Sequence, residues 1–380
     1  MKEVIELTKK MVEINSVSGQ EEEILEYLAG FLKNKGAKEV WQNEDFCAAL
    51  FTNGKTENAT ILTGHIDTVS AGDESNWKNS PWSCIENDEK LIGLGVTDMK
   101  AGLSAAFIAG IEAFDNGNIE DDLWLVAVAN EEIDGRGSRN FVAWFKEKGF
   151  KYNKIEGIIP EPTNLDTIEI GHRGNCFVEI TFLGKSGHAS QQGNYHISAL
   201  NSMNNLLASV KDIEDKGVLH DLLIKYRNDI LGMPSFVPTS VIAGDSQSPN
   251  KTADICKMVI DIRTTPELDK QLDSFMNELA TDFNFSWKYH STPVGSTLVS
   301  ENSNLVKKLL KSSNLNIDNV GISAGATDQG EFVKGLNNTE VVVYGPGEFS
   351  EAHHQNEFIY KNKLEKFYNV IHDFLVNNEK

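Results

Sequence analysis

Arginine is scarce in this chain. Only Arg136, Arg139, Arg173, Arg227 and Arg263 are arginine among 35 basic residues, and lysine supplies the rest. Where lysine carries the general surface charge, each arginine has a stronger claim to a geometric task such as a bidentate carboxylate contact. Cysteine is scarce too. Cys47, Cys84, Cys176 and Cys256 lie far apart with no Cys-x-x-Cys pair, and they read as reduced, buried thiols of an intracellular protein. The opening MKEVIELTKKMVEINSVSGQ mixes acids and lysines with its apolar residues and lacks a signal-peptide core. No apolar run approaches a membrane span. The expected location is the cytoplasm. Bases are also outnumbered: 56 acids against 35 bases leave a net charge of -21. A field of that sign repels nucleic-acid backbones and anionic lipid, so neither nucleic acid nor membrane is expected as a partner.

What is present looks ordinary for a soluble protein. A hydrophobic share of 40% and a charged share of 24% exclude collagenous, membrane and disordered classes. At 380 residues the chain exceeds one comfortable core, so two domains are expected. A helical stripe runs from Val4 to Ile14, and Ser18 with Glu21 and Glu22 marks the start of a second helix through Phe31. Short apolar runs follow at Thr60–Leu62, Leu123–Ala129, Ile155–Ile159 and Glu340–Tyr344, with helical segments such as Ala101–Phe114 between them. This alternation predicts an α/β domain with a mostly parallel sheet. From Asn175 to about Tyr289 the pattern changes. Strands (Phe177–Phe182, Ile255–Ile262) and amphipathic helices (Ile197–Val210, Leu268–Phe283) suggest an inserted α+β domain, with Ala243–Thr252 as a surface connection. The expected division is 1–174 and 290–380 for the outer domain and 175–289 for the insert.

Acids and histidines gather at the ends of the apolar runs, where open α/β sheets place ligands. His65 and Asp67 lie two apart, on one side of an extended chain, so the carboxylate can orient the imidazole. The plain alternative is a structural histidine beside a turn aspartate. Asp98 precedes a helix and could simply cap it. Glu131 and Glu132 leave another apolar run; as neighbours they repel unless a cation or proton is shared. Glu161 follows Ile158-Ile159, and His353 and His354 follow Gly345-Pro346-Gly347; a polar surface turn would explain either. Singly each is weak. Together, two histidines and three or more carboxylates on separate strand–helix units make a mixed N/O site suited to zinc or a similar divalent ion. One carboxylate bridging two metals about 3.5–4 Å apart would activate water and polarise a carbonyl. A remaining glutamate would take the proton from that water.

The motifs GHIDTV, GVTDMKAG, NEEIDG, EPT, GHRG, SGHAS, DIR and AHHQNE stand in one order along the chain. In them the sequence resembles the co-catalytic zinc amidohydrolases and peptidases, which include acetylornithine deacetylase, succinyl-diaminopimelate desuccinylase, aminoacylase and the glutamate-releasing carboxypeptidase. The resemblance covers essentially the whole chain. It implies a zinc-peptidase-like catalytic domain and an inserted lid domain that commonly forms a homodimer. It implies two divalent ions, zinc with cobalt or manganese as alternatives: His65 and Glu161 on one, Glu132 and His353 on the other, Asp98 between them. Asp67 then supports His65, and Glu131 is the general base. His353 is chosen over His354 because the family pattern reads Ala-His-x-x-Asn/Asp-Glu. His188 matches a lid histidine that reaches a partner's active site and stabilises the oxyanion. Arg173, Asn250, Arg263 and Gly325 match substrate-holding positions, with a structural ion pair as the alternative for the arginines. The implied substrate is a small carboxylate-bearing N-acyl amino acid or peptide.

The chain departs from the family in places. Ala253 stands where many relatives have proline, which weakens the match at Asn250. Gly93-Leu94-Gly95 and the Trp77–Trp82 stretch resemble the acetylornithine deacetylase branch. Gln329, Gly330 and Glu331 follow Asp328 where relatives often carry an arginine. A rival reading comes from Gly321-Ile322-Ser323-Ala324-Gly325, which fits G-x-S-x-G. Asp328 and His353 follow in the order of a serine-hydrolase triad, although Asp328 lies only five residues beyond the serine.

Overall fold

The structure is a computed structural model, and it describes residues 1–54, 56–210, 218–323 and 325–376. The chain divides into two compact units. The first comprises Met1–Gly171, Leu298–Ser323 and Thr327–Lys380; the second comprises His172–Thr297 with Ala324–Ala326.

The first unit is built on a mixed sheet. Its strands run in the order Glu39–Gln42, Phe46–Phe51, Asp122–Val128, Asn58–His65, Lys154–Ile159 and Thr339–Val343, continuing to Ile168–His172. The middle four are mutually parallel, whereas Phe46–Phe51 and Glu39–Gln42 join antiparallel at one edge. All seven residues of Asp122–Val128 are buried, because side chains alternate across a sheet covered on both faces. Leu123, Leu125 and Ala127 enter one core with helices Lys2–Glu13, Glu22–Asn34, Ala101–Asp115 and Lys361–Val376. Trp124, Val126 and Val128 enter the other, against Phe141 and Phe145 of Arg136–Glu147 and Phe332 of Gln329–Gly335. The apolar runs of the sequence are therefore central strands, Asn58–His65 and Lys154–Ile159 extending beyond their apolar stretches and the other two shifted one residue towards the N-terminus.

The second unit holds a four-stranded antiparallel sheet in the order Ser235–Ala243, Ile255–Thr264, Gly174–Leu183 and Phe285–Tyr289. Buried and half-buried residues alternate along Gly174–Leu183, and Val178, Ile180 and Phe182 join a core with Leu206, Phe275 and Leu279 from the helices on that face. The expected helix over Leu268–Phe283 is two pieces, Pro266–Asp269 and Leu272–Phe283. The helix expected to begin near Ser18 begins at Glu22, without a side-chain cap. No helix among the described residues is long and apolar enough to cross a membrane.

Candidate metal centre

Four parallel strands of the first unit deliver acids or histidines beyond their C-terminal ends. His65 closes Asn58–His65, and Glu131 and Glu132 follow Asp122–Val128. Glu161 follows Lys154–Ile159, and His353 lies on the segment after Thr339–Val343. Asp98 sits in the tight turn Val96–Lys100 before helix Ala101–Asp115. That helix has no side-chain cap, so Asp98 is not its capping residue.

The Asp98 carboxylate stands between two groups. Its Oδ1 lies 3.1 Å from His65 Nε2, which is itself 3.6 Å from Glu161 Oε1. Its Oδ2 lies 3.4 Å from His353 Nε2, which is 2.9 Å from Glu132 Oε1. Ligand atoms of His65, Asp98 and Glu132 all fall within 4.8 Å of one another. Two imidazoles and three carboxylates converge, one carboxylate facing both halves. That donor set suits a divalent ion bound by nitrogen and oxygen.

The acids and imidazoles of this site interact strongly. Burial pushes the Glu161 carboxyl up to about 8, and the negative charge of Asp98 adds to it. Burial likewise drives Glu131 well above the carboxylate range, reinforced by Asp328, Glu161 and Glu132 and opposed by His65. Hydrogen bonds to Asp98 and Glu132 raise His353 to about 10. Acids this crowded either hold protons or share cations.

Other side chains hold the acids in place. Asp67 is buried, and its carboxylate accepts the backbone N–H groups of Glu131 (3.1 Å) and Glu132 (3.2 Å) and the hydroxyl of Ser18 (2.7 Å). The Ser18 hydroxyl thus serves Asp67, where the sequence suggested a helix start. His65 Nδ1 lies 3.0 Å from the Asp67 carbonyl oxygen and 3.5 Å from the carboxylate, so the backbone makes the closer contact with the ring. Glu21 accepts the N–H of Asn130 at 3.1 Å. Glu357 accepts three N–H groups around Asp98. Lys100 is fully buried, with Nζ donating to the Met11 carbonyl at 2.9 Å; burial lowers it to about 7 against the pull of Glu357. Sequence reasoning read Glu21 only as part of a helix start and passed over Lys100 and Glu357. Lys100 and Glu357 lie inside quoted motifs, but only burial marks them as more than surface charge.

The remaining candidates lie in the second unit, Gly325 as a half-buried glycine with open space where a side chain would begin. His188 is exposed; its Nδ1 accepts the Ser190 N–H at 3.2 Å, and the neighbouring Ala189 N–H donates to the Asn250 carbonyl. Arg263 is held by Asp261, Nε to Oδ1 at 2.9 Å and Nη2 to Oδ2 at 3.0 Å. Arg173 donates to the Met233 carbonyl at 3.1 Å; burial lowers its pKa, with the nearby Arg263 charge adding to that. The serine triad does not assemble: Ser323 bonds Glu169, while the His353 ring faces Glu132 and Asp98.

Residues 61–377 match the model of peptidase family M20/M25/M40, and the chain belongs to this family, as its motifs suggested. It is 27% identical to a probable succinyl-diaminopimelate desuccinylase of Staphylococcus aureus, over 97% of this chain and 96% of that one. It is 28% identical to an acetylornithine deacetylase of Aliivibrio salmonicida, over 84% and 81%. Among solved structures, the M20 family metallo-carboxypeptidase Sso-CP2 from Sulfolobus solfataricus shares the fold with a TM-score of 0.80, at 18% identity over 99% of both chains. The protein is a hydrolase of the M20 family.

Proposed function

We propose that the chain hydrolyses the amide bond of a small carboxylate-bearing N-acyl amino acid, with N-acetylornithine as the first candidate. The observation that supports this most is Asp98 standing between a His65–Glu161 group and a His353–Glu132 group. His65 and Glu161 would hold one divalent ion, His353 and Glu132 a second, and Asp98 both. When bound, these ions (zinc first, cobalt or manganese as alternatives) supply Lewis acidity for water and for the amide carbonyl. Glu131 takes the water proton on its carboxylate and gives it to the leaving amine as the C–N bond breaks. Its backbone is pinned by Asp67, and burial, with the neighbouring acids adding to it, raises its affinity for a proton. Arg173 and Arg263 hold the substrate carboxylate with N–H groups left by Met233 and Asp261; Asn250 and Gly325 line the substrate.

The first unit serves as catalytic domain and the second as lid. Homodimerisation through the lid is supported by its edge strand Ser235–Ala243, which exposes Val237, Val241 and Ile242. His188 then stabilises the oxyanion in the partner's site. A cytoplasmic location belongs to the same reading. N-succinyl-diaminopimelate and di- or tripeptides are the alternative substrates to N-acetylornithine, the first favoured by the desuccinylase relative.

Glu131→Gln should keep both ions and lose at least a hundredfold in kcat, while Glu132→Gln should lose metal affinity. Equal metal loss in the two variants would overturn the division of roles. A panel of N-acetyl and N-succinyl amino acids and dipeptides, each also with its carboxylate amidated, tests the substrate. Comparable rates for amidated forms would remove Arg173 and Arg263 as carboxylate holders.

A further inference from the structure

Glu357 is almost fully buried beneath the turn that carries Asp98. Its Oε1 accepts the N–H of Thr97 at 2.6 Å and of Asp98 itself at 3.0 Å, and its Oε2 accepts the N–H of Gly95 at 2.8 Å. The turn is shaped for this. Gly95 has φ +75°, and a Cβ there would collide with the Thr68 side chain. All three groups facing Glu357 are donors and both of its oxygens accept, which a carboxyl group allows and an amide nitrogen does not.

The backbone of Glu357 joins the same chain segment as His353. Its N–H donates to the His354 carbonyl at 3.2 Å, and its carbonyl accepts the Gly93 N–H at 3.0 Å. A second tie between the segments is the Thr97 hydroxyl, which donates to the Phe358 carbonyl at 2.8 Å. One residue therefore anchors the turn bearing Asp98 and sits four positions from His353, which faces Asp98 at 3.4 Å.

We propose that Glu357 is a positioning residue that sets where the Asp98 carboxylate stands relative to His353, and so the spacing of the two cation positions. This rests on the two-ion reading given above. Replacing one carboxylate oxygen with an NH2 group points a donor at donors and leaves at least one buried N–H unpaired. The Asp98 turn then relaxes, and a carboxylate that must face two ions at once suffers more than one that faces a single ion.

The test uses metal-free full-length protein titrated with Mn(II), with affinity read by competition against a chromophoric chelator. The spin coupling of the manganese pair is read by electron paramagnetic resonance. Wild type should take two equivalents with a coupled signal; a single equivalent would overturn both the two-ion reading and this inference. Glu357→Gln should bind the second equivalent at least tenfold more weakly, in line with the loss of a group that orients a ligand, and should lose coupling. Glu357→Asp, which restores an acceptor-only group one methylene shorter, should recover part of both. It also carries the test if the glutamine variant does not fold. Thr97→Val cuts the other tie while keeping the backbone donor; it should lower the melting temperature and leave both metal readouts alone. Two full-affinity equivalents with wild-type coupling in Glu357→Gln, or in Glu357→Asp where only that variant folds, would overturn the role of Glu357. So would equal metal loss in Thr97→Val.

Discussion

Asp67→Asn is the most revealing single change in the first unit. The wild-type carboxylate gathers the N–H groups of Glu131 and Glu132 and the Ser18 hydroxyl, with the His65 ring 3.5 Å away. Asparagine has the same shape but one acceptor oxygen and one donor NH2. In either orientation, one glutamate N–H meets that NH2. Hydrogen bonds to a charged group contribute about 1.5–3 kcal/mol each. Losing one and leaving its donor buried should cost about 3 kcal/mol of folding stability in the metal-free protein. The turn that presents Glu131 and Glu132 then loosens, and metal affinity should fall by about 10–100-fold, as for other groups that orient ligands. Denaturant melts in chelator read the stability, and chelator competition reads the affinity. The reasoning fails if metal binding and stability both stay within experimental error of wild type. It also fails if stability falls while affinity is unchanged, since Asp67 would then only brace the fold.

Gly345→Ala should weaken metal binding without touching a donor atom, because its Cβ would press on the backbone of Pro160 and Glu161. An apparent affinity equal to wild type, measured by the same competition, would show that this approach can relax. Asp328 is raised from 3.8 to about 7, chiefly by burial. It therefore contributes stability that is fully present below about 3.8 and lost as pH rises through about 7. In chelator, Asp328→Asn should gain stability relative to wild type between those limits, by at most about 1.4 kcal/mol per pKa unit; parallel pH profiles would exclude burial as the cause. For the lid, mixing His188→Ala with Glu131→Gln subunits should restore part of the activity that each variant lacks. A fully active monomer in sedimentation would refute the shared site.

The sequence alone determined the family and the α/β class, because both rest on local order. Apolar runs such as Leu123–Ala129 are short, bounded by polar residues and separated by helical segments, which points to strands of an α/β sheet, and motif order survives without any geometry. It also put acids and histidines at the ends of those runs. Folding decided what those residues face. His65 and His353 are nearly three hundred positions apart, and only the parallel order of their strands brings both rings to opposite oxygens of Asp98. Local signals misled where a side chain had a distant partner. Ser18 looked like a helix start yet gives its hydroxyl to Asp67, and Asp98 might have capped a helix yet faces two imidazoles. Glu357 and Lys100 show the limit most clearly. Their letters match those of dozens of solvated acids and lysines in this chain, and only burial, with the desolvation it imposes on a charge, separates them from the surface.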